Sequence, residues 1–451
     1  MMKQRRSVSH KLSRREFMVK SAGAASSVLL ASCLGGSGGE STTSEGATVP
    51  EGGEYTGPNV TLDYWNGFTG GDGPVMQQLV KQFTEEHDNI QVKMNTLEWE
   101  DYYQNVPQAV TSGRGPDIGI MHIDTLATNA ARQVILPLDD VAESLELEEG
   151  DFASVVWDAG IYNGSRYGIP LDTHPLGMYY NKDVMEQAGL DPDSPPQTED
   201  EYMSALEDLK SKGIEGSWVS PFLFTGGFMF ESLVWQFGGE LFNEDATEAT
   251  FNSEEGVAAL TWMVDLVKQG YSPENVGQDA DVIAFQNGKN AFNWNGIWFI
   301  NGYGEVKDLN WGVAPLPQIG QERAAWANSH NFVIMNQRDQ DENKIQAAKV
   351  LIAWISEHSI EWAKSGQVPA RNTVRDSDEF QSLDEQVAFA EQIDYLHFPP
   401  PVPGISDISP IIETGLNEAV LLKKEPQQAL DDAAGQATQL LEENAEKYGN
   451  A

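Results

Sequence analysis

The alternation of strand and helix patterns near the start of the globular region is the feature that most constrains the fold of this chain. Strand patterns lie at 60–65, 90–94 and 117–121, and helix patterns begin at Pro74 and run over 99–111. In the first helix, Val75, Leu79 and Phe83 recur at helical spacing. Strands that alternate with helices form a parallel sheet with helices packed on its faces. The sequence therefore predicts an α/β fold.

The length of the region from about residue 59 to residue 450 indicates more than one core. A single core rarely serves so many residues, so we expect two lobes, each a mainly parallel sheet flanked by helices. In such sheets ligands bind outside the carboxyl ends of the strands. This rule predicts binding residues in the loops 65–72, 96–99 and 122–124.

The N-terminal segment has the pattern of an export signal. Arg14-Arg15 precedes an apolar run from Val19 to Leu30, which is shorter than the ~20 residues that a spanning helix needs. Twin arginines are typical of the Tat pathway, which exports folded proteins. We therefore predict a signal peptide over 1–32.

Cys33 is the only cysteine of the chain, so it can form no internal disulfide. It follows Leu-Ala-Ser in a sequence that resembles a lipobox, which implies lipidation of Cys33. The alternative is a buried thiol. Residues 33–58 are rich in Gly, Ser and Glu and predict a flexible tether of about 27 Å root-mean-square length. Together these features predict a protein anchored by lipid at the extracellular face of the cytoplasmic membrane.

The net charge constrains both the environment and the partners. It is formally −41, and removal of 1–32 takes away seven basic residues and one acidic residue, leaving about −47. Molar salt screens such self-repulsion, so we interpret the surface as halophilic. Disorder or a basic partner would be alternatives, but 12 Trp, 18 Phe and 40% hydrophobic residues supply a core. Nucleic acid is excluded, because phosphate binding needs clustered Lys and Arg.

A series of short motifs covers most of residues 60–375. In chain order they are Tyr64-Trp65-Asn66-Gly67-Phe68-Thr69 with 83–90, Gly115-Pro116-Asp117-Ile118, 167–172 with 179–190, 251–253, 285–298, 311–317 and 366–371. The series resembles the family 1 extracellular solute-binding proteins, the maltose-binding-protein-like group of ABC importers, in a halophilic archaeal form. Each motif alone is weak, but seven in the right order are specific.

The resemblance implies a two-lobed periplasmic-binding-protein-like fold of type II, with a hinge between the lobes. We expect crossings near Pro170-Leu171, near 315–317 and around 365–375. These crossings divide the chain into an N-terminal lobe of 59–170 plus 314–368 and a C-terminal lobe of 171–313 plus 369–450. Closure on a solute and delivery to a membrane permease are the implied function. We expect a monomer that binds a small solute without a cofactor.

A carbohydrate site needs aromatic plates for the C–H faces of the sugar and polar groups for its hydroxyls. The predicted loop ends and crossings offer that mixture: Trp65, Asn66, Thr69, Asp72, His122, Asp124, Asp172, Thr173, His174, Trp294, Asn295, Trp298, Asn328, His330 and Arg371.

Several of these candidates have a structural alternative. Trp65 and Trp298 could be core residues, Asp72 could cap the helix at Pro74, and His174 could lie in an extended hinge. Arg371 could pair with a neighbouring carboxylate. Asp117 begins a strand and is expected to cap or to form a salt bridge. The aromatic stretch 218–235 is expected to be mostly core, with one or two rings at the floor of the cleft.

A glycoside hydrolase is the main alternative class, because it too combines carboxylates with aromatic residues. Against an enzyme, the sequence offers no Ser/His/Asp elbow and no phosphate loop. The seven histidines are scattered without the spacing of a zinc site, so no metal is expected. Alternative solutes are a glycerol phosphate, a polyol or a polyamine. A phosphorylated solute is disfavoured, because few basic residues fall at the predicted cleft.

Overall fold

The computed structural model describes residues 54–449. The predicted signal peptide (1–32), the lipidation site at Cys33 and most of the tether lie outside the described residues, as does residue 450. No helix within 54–449 combines the length and the apolar character that crossing a bilayer requires.

Thirteen strands occur in the described part of the chain. They are β1 Val60–Asn66, β2 Ile90–Thr96, β3 Ile118–His122, β4 Ile161–Tyr162, β5 Ser165–Arg166, β6 Ile169–Pro170, β7 Asp172–Asn181, β8 Phe292–Gly296, β9 Trp311–Ala314, β10 Ala325–Asn328, β11 His330–Ile334, β12 Val368–Pro369 and β13 Leu396–His397.

The α-helices of the same region are α1 Gly73–Glu86, α2 Trp99–Thr111, α3 Ile123–Ala131, α4 Asp139–Ser144, α5 Ser154–Asp158, α6 Lys182–Ala188, α7 Glu199–Ser211, α8 Phe228–Gln236, α9 Glu254–Lys268, α10 Ala280–Gln286, α11 Ile300–Gly304, α12 Glu342–Glu357, α13 Ser359–Ala363, α14 Asn372–Arg375, α15 Asp378–Gln381, α16 Asp384–Ala390, α17 Ser409–Val420 and α18 Pro426–Tyr448. A π-helical turn, Leu223–Gly227, leads directly into α8.

The first sheet has the order β2-β1-β3-β11-β6. β1 is parallel to β2 and β3, whereas β11 runs antiparallel to β3 and β6. The strands and helices predicted between residues 60 and 121 are confirmed, with helix α2 at its predicted bounds. Asp117 forms the expected salt bridge at the start of β3, 2.8 Å from Lys344 Nζ.

The second sheet is built around β7, all ten residues of which are buried. Strands β8, β9, β10 and β12 pair with it in antiparallel orientation, and β13 is parallel to β10. The α/β architecture of two sheets flanked by helices is confirmed. The expected mainly parallel pairing does not hold in this sheet, since all four strands that pair with β7 are antiparallel to it.

The chain passes between the sheets three times. It leaves the first sheet at Leu171, returns to it at Ser329 and reaches the second sheet again between Ala363 and Val368. The return at Ser329 corrects the expected crossing at 315–317. We call the parts of the chain built on the first and second sheets the first and second lobes. Residues 314–328 lie with the second lobe, because Leu316 and other apolar side chains of this segment pack into its core.

Candidate functional site

A cleft of about 490 Å³ lies where the two sheets meet. The first lobe contributes the glycine-rich loop after β1 (residues 67–72), the start of α2 and the turn from β3 into α3. The second lobe contributes the π-helical turn, α8, the segment after β8 and the end of β10. The cleft thus lies at the carboxyl ends of β1 and β3, where an α/β sheet binds its ligands.

The glycine-rich loop brings Thr69 and Asp72 to the cleft. Only glycine fits at position 67, because a Cβ there would lie 2.0 Å from the ring of Trp99. This glycine lets the Trp99 indole lie directly against the loop backbone. Trp99 also stacks on His330, with ring centroids 5.6 Å apart and an interplanar angle of 14°.

Asp72 precedes α1 but does not cap it through its side chain. Its Oδ1 is buried and has no hydrogen-bond partner among the described residues. Burial raises the pKa of this carboxyl above its ordinary value, opposed in part by nearby His330. An unpartnered acceptor on the lining of a cleft is suited to receive a hydrogen bond from a ligand.

Three histidines from distant parts of the chain meet at the floor of the cleft. One potential ligand nitrogen of each ring, in His122, His174 and His330, lies within 4.8 Å of the other two. His122 ends β3, His174 lies in β7 and His330 begins β11, so the first crossing and the second crossing bring the rings together. All three line the cleft.

Asp172 lies behind two of these rings and is fully buried. Its carboxylate accepts hydrogen bonds from His330 Nδ1 at 2.7 Å, the His330 backbone N–H at 3.0 Å and His174 Nδ1 at 3.2 Å. The indole Nε1 of Trp362 donates a fourth, at 2.7 Å. Asp172 therefore fixes the orientation of two imidazoles and does not itself line the cleft.

Burial keeps two of the imidazoles, those of His122 and His174, neutral at ordinary pH. Burial, reinforced by the neighbouring His330, lowers the pKa of His174 to about 4 and places the pKa of His122 well below its usual range. Burial acts against ionisation of Asp172, but His330 and the hydrogen bonds from both rings lower the pKa of that carboxyl. At the floor of the cleft, the Asp172 carboxylate is thus covered by the imidazoles of His174 and His330, which donate to it.

Asp124 and Asn328 join the two lobes beside the histidines. Asn328 Nδ2 donates to Asp124 Oδ1 at 3.0 Å, and the Ile123 backbone N–H donates to Asn328 Oδ1 at 3.0 Å. Burial raises the pKa of Asp124, and the hydrogen bond from Asn328 opposes that shift. Asn328 thereby attaches the end of β10 to the start of α3.

Aromatic rings form the wall of the second lobe. Trp326 and Phe228 stack with centroids 3.6 Å apart and an interplanar angle of 12°, and Trp298 lies edge-on to Trp326 at 6.3 Å. Gly296 permits the position of Trp298, because a Cβ at Gly296 would lie 2.0 Å from its ring. Phe224, from the π-helical turn, lines the same wall and is 65% exposed. These surfaces match the apolar faces of a pyranose or furanose ring.

Two further polar groups line the cleft. Glu231 of α8 is buried, and burial, followed by the charge of Asp124, raises its pKa to about 8. Gln367 Oε1 is buried without a hydrogen-bond partner among the described residues. Within residues 54–449, the lining of this cleft includes no Lys or Arg.

The structure brings eight of the predicted site residues onto the lining: Thr69, Asp72, His122, Asp124, His174, Trp298, Asn328 and His330. The other seven lie off it: Trp65, Asn66, Asp172, Thr173, Trp294, Asn295 and Arg371.

Most of the seven residues off the lining are held by internal contacts. Asn66 Oδ1 accepts from the Phe68 backbone N–H at 3.2 Å and from Thr96 Oγ1 at 3.0 Å, which shapes the glycine-rich loop. Thr173 donates through its Oγ1 to the carbonyl of Asn328 at 3.3 Å. These two side chains support the cleft from behind.

The remaining residues off the lining lie in cores or, like Arg371, pack against residues of the first lobe. Trp65 packs in the first lobe and Trp294 in the core of the second lobe. Asn295 Oδ1 accepts the Gly296 backbone N–H at 2.8 Å. Arg371 Nε donates to Ser356 Oγ at 2.7 Å, with its guanidinium 5.6 Å from the centre of the Phe152 ring.

Sequence reasoning missed Trp99, Tyr103, Glu231, Trp326 and Gln367 as lining residues. Trp99 lies in the loop end 96–99 that the strand pattern marks, so it was accessible from sequence. Trp326 was not, because its segment was expected in the other lobe. Of the stretch 218–235, Phe224, Phe228 and Glu231 reach the cleft and Phe230 and Trp235 lie in the core.

The fold and the site define a class, a two-lobed α/β binding protein with its cleft at the crossings between the lobes. The model of the bacterial extracellular solute-binding proteins matches residues 69–360, and the chain belongs to that family.

Named relatives agree with this assignment. The sn-glycerol-3-phosphate-binding periplasmic protein UgpB of Escherichia coli (strain K12) is 25% identical over 410 residues, covering 84% of this chain and 92% of UgpB. The cyclic α-maltosyl-1,6-maltose binding protein of Arthrobacter globiformis shares the fold, with a TM-score of 0.74, 22% identity and coverage of 85% and 99%. An ABC transporter solute-binding protein of Thermotoga lettingae, bound with α-D-tagatose, has a TM-score of 0.71, 25% identity and coverage of 84% and 99%.

Proposed function

We propose that this protein is the carbohydrate-binding component of an ABC importer, which captures a mono- or oligosaccharide between its lobes and delivers it to a membrane permease. The observation that carries the proposal is the lining of the cleft. It combines aromatic plates with the acceptors Asp72, Asp124 and Gln367 and has no Lys or Arg within the described residues. Its volume of about 490 Å³ falls in the ~300–1,000 Å³ range of small-molecule sites.

The chemistry of the same lining disfavours a phosphorylated solute. UgpB binds sn-glycerol 3-phosphate by name, and a dianionic phosphate would be expected to meet a cationic donor. Here the groups near the floor are carboxylates and imidazoles, and the pKa values of His122 and His174 are lowered. A neutral polyhydroxylated solute avoids repulsion from Asp72 and Asp124 and supplies the hydroxyl donors that they lack.

A thermal-shift screen in molar salt tests the solute class. At about 100-fold over its dissociation constant, the right sugar should add roughly 2.7 kcal/mol of apparent stability. The carbohydrate proposal would be overturned if glycerol 3-phosphate, an amino acid or a polyamine raised the melting temperature while no sugar or polyol did. Turnover of an oligosaccharide would instead favour the hydrolase alternative.

A pair of tryptophan variants places the solute in the cleft. Trp298 lines the cleft, whereas the similarly half-buried Trp262 packs against the second-lobe core away from it. Losing an aromatic plate should cost about 1.5–3 kcal/mol of binding free energy, so W298A should weaken sugar binding by at least roughly tenfold. W262A should leave the affinity unchanged. Equal sugar affinities in both variants would show that the sugar does not bind in this cleft.

The lobe division is part of the proposal. We propose an N-terminal lobe of 59–170 with 329–363 and a C-terminal lobe of 171–328 with residues from 368 onward, which revises the sequence boundaries to follow the sheets. Three crossings in parallel act as the hinge, and a solute stabilises closure only through contacts with both lobes. Small-angle scattering should therefore show a smaller radius of gyration with sugar, and an unchanged radius would contradict closure.

The proposal extends to export and anchoring. Twin-arginine export, cleavage before Cys33 and lipidation of that residue would hold the protein as a monomer at the extracellular face of the membrane. Mass spectrometry of the N-terminal peptide should show a lipid on Cys33. An unmodified Cys33 in the mature chain would contradict it.

The acidic composition supports a halophilic origin. With a formal net charge of −41, repulsion should destabilise the fold in dilute buffer and be screened in molar salt. The unfolding midpoint should rise steeply between 0.1 M and 2 M NaCl. A midpoint that does not depend on salt would refute this interpretation.

A further inference from the structure

We propose that His122, His174 and His330 form a binding site for one divalent transition-metal cation of the zinc class at the floor of the cleft. This site goes beyond carbohydrate binding and does not depend on it. Imidazole nitrogens are preferred ligands of zinc, and three protein ligands with an open fourth position are typical of accessible zinc sites.

The first observation is the distance between the rings. One ligand nitrogen of each histidine lies within 4.8 Å of the other two. Zinc–nitrogen bonds of about 2.0–2.1 Å in a tetrahedral site place such nitrogens about 3.3 Å apart. A contraction of about 1.5 Å at most would therefore bring these three nitrogens to the spacing of a zinc site.

The second observation is the tautomer that Asp172 imposes. A carboxylate only accepts hydrogen bonds, so His174 and His330 each carry a proton on the Nδ1 that faces Asp172. Their Nε2 lone pairs are then free for a cation. A buried carboxylate that orients histidine ligands from behind is the usual outer shell of a zinc site.

His122 is oriented in a comparable way by Tyr103. The Tyr103 hydroxyl oxygen lies 2.6 Å from His122 Nδ1 and accepts the His122 backbone N–H at 3.0 Å. An oxygen with two lone pairs can accept both N–H groups, which again leaves Nε2 free. No hydrogen bond within the described residues uses the Nε2 of any of the three rings.

The third observation is the surrounding charge. Asp172 lies behind the rings of His174 and His330, Asp72 is on the same lining as all three rings, and that lining has no Lys or Arg within 54–449. A dication would find two carboxylates nearby, and its fourth coordination position would face the cleft, open to water or to a solute oxygen.

Zinc titration of the chelator-stripped full chain tests the site. Isothermal titration calorimetry in molar NaCl, with elemental analysis after desalting, should give one zinc per chain. His122→Gln and His174→Gln should each weaken binding by at least roughly 100-fold, and Asp172→Asn by about 10–100-fold. The matched control is His358→Gln, because His358 stacks on Trp354 and lies outside the cleft.

Cobalt provides a readout that needs no variant. Co²⁺ bound by three imidazoles should give the intense visible absorption of a four-coordinate site, displaced by one equivalent of zinc. Zinc binding that is absent, that exceeds one equivalent without a saturable step, or that is equal in all histidine variants would overturn the proposal. The last two results would indicate adsorption on the acidic surface. A sugar-induced thermal shift in chelator would leave the carbohydrate proposal intact in each case.

Discussion

Replacing Asp172 by Asn should disrupt the floor of the cleft more than any other single isosteric change. The carboxylate is fully buried and accepts four N–H donors: two from His330, one from His174 and one from Trp362. In the variant, the amide Nδ2 is itself a donor and faces donors on its side of the group. At least two charge-assisted hydrogen bonds are lost, at about 1.5–3 kcal/mol each.

The expected loss of unfolding free energy is therefore about 3–6 kcal/mol. A unit of lobe size shifts its melting temperature by roughly 2 °C per kcal/mol, so D172N should melt roughly 6–12 °C lower. Differential scanning calorimetry in molar salt measures the shift. Sugar affinity should fall as well, because His174 and His330 lose the acceptor that orients them.

Asp117→Asn is the matched control. Asp117 also accepts from several donors, Lys344 Nζ and the Asp63 backbone N–H, but it lies at the opposite end of the first sheet and its side chain is 13% exposed. Its replacement should cost about 2 kcal/mol at most and leave sugar affinity unchanged. If D172N melts no lower than D117N, the Asp172 carboxylate does not hold the two histidines in place.

Two further predictions concern the second-lobe wall. The pKa of Glu231 is raised to about 8, so the folded state keeps a proton that the unfolded state releases near pH 4.5. The contribution of Glu231 to the free energy of unfolding should therefore be largest below pH 4.5. It should fall by up to about 1.4 kcal/mol per pH unit as the pH rises toward 8. Urea unfolding of wild type and E231Q from pH 5 to 8 measures the difference, and a difference independent of pH would contradict the assignment. Gly296→Ala should displace Trp298 and weaken sugar binding by at least roughly tenfold. Gly435→Ala, where a Cβ meets nothing within 4 Å, should leave affinity unchanged and stabilise α18 by up to about 1 kcal/mol; equal affinities would show that Trp298 accommodates the methyl group.

Local sequence patterns predicted the elements of the first lobe closely. Strand β1, helix α1 and helix α2 follow from periodicity and from Pro74, because each buries one face against an adjacent element. The same reasoning placed Thr69 and Asp72 at a strand end and hence on the cleft. Sequence patterns could not predict how the strands of the second sheet pair. The central strand β7 is buried throughout, and a fully buried strand shows no alternation of apolar and polar residues.

By itself, the sequence determined the α/β class, the position of Thr69 and Asp72 at a strand end on the cleft and the charge that any partner must tolerate, since all three depend on composition and short-range spacing. Tertiary structure alone decided which residues meet. Residues 122, 174 and 330 are far apart in the chain, so no spacing rule could group them, and only the crossings at Leu171 and Ser329 bring their rings close to one another. The same crossings place Trp326 on the cleft wall and withdraw Asp172 behind it. Long-range contacts of this kind are set by how the two sheets pack, which the local sequence does not encode.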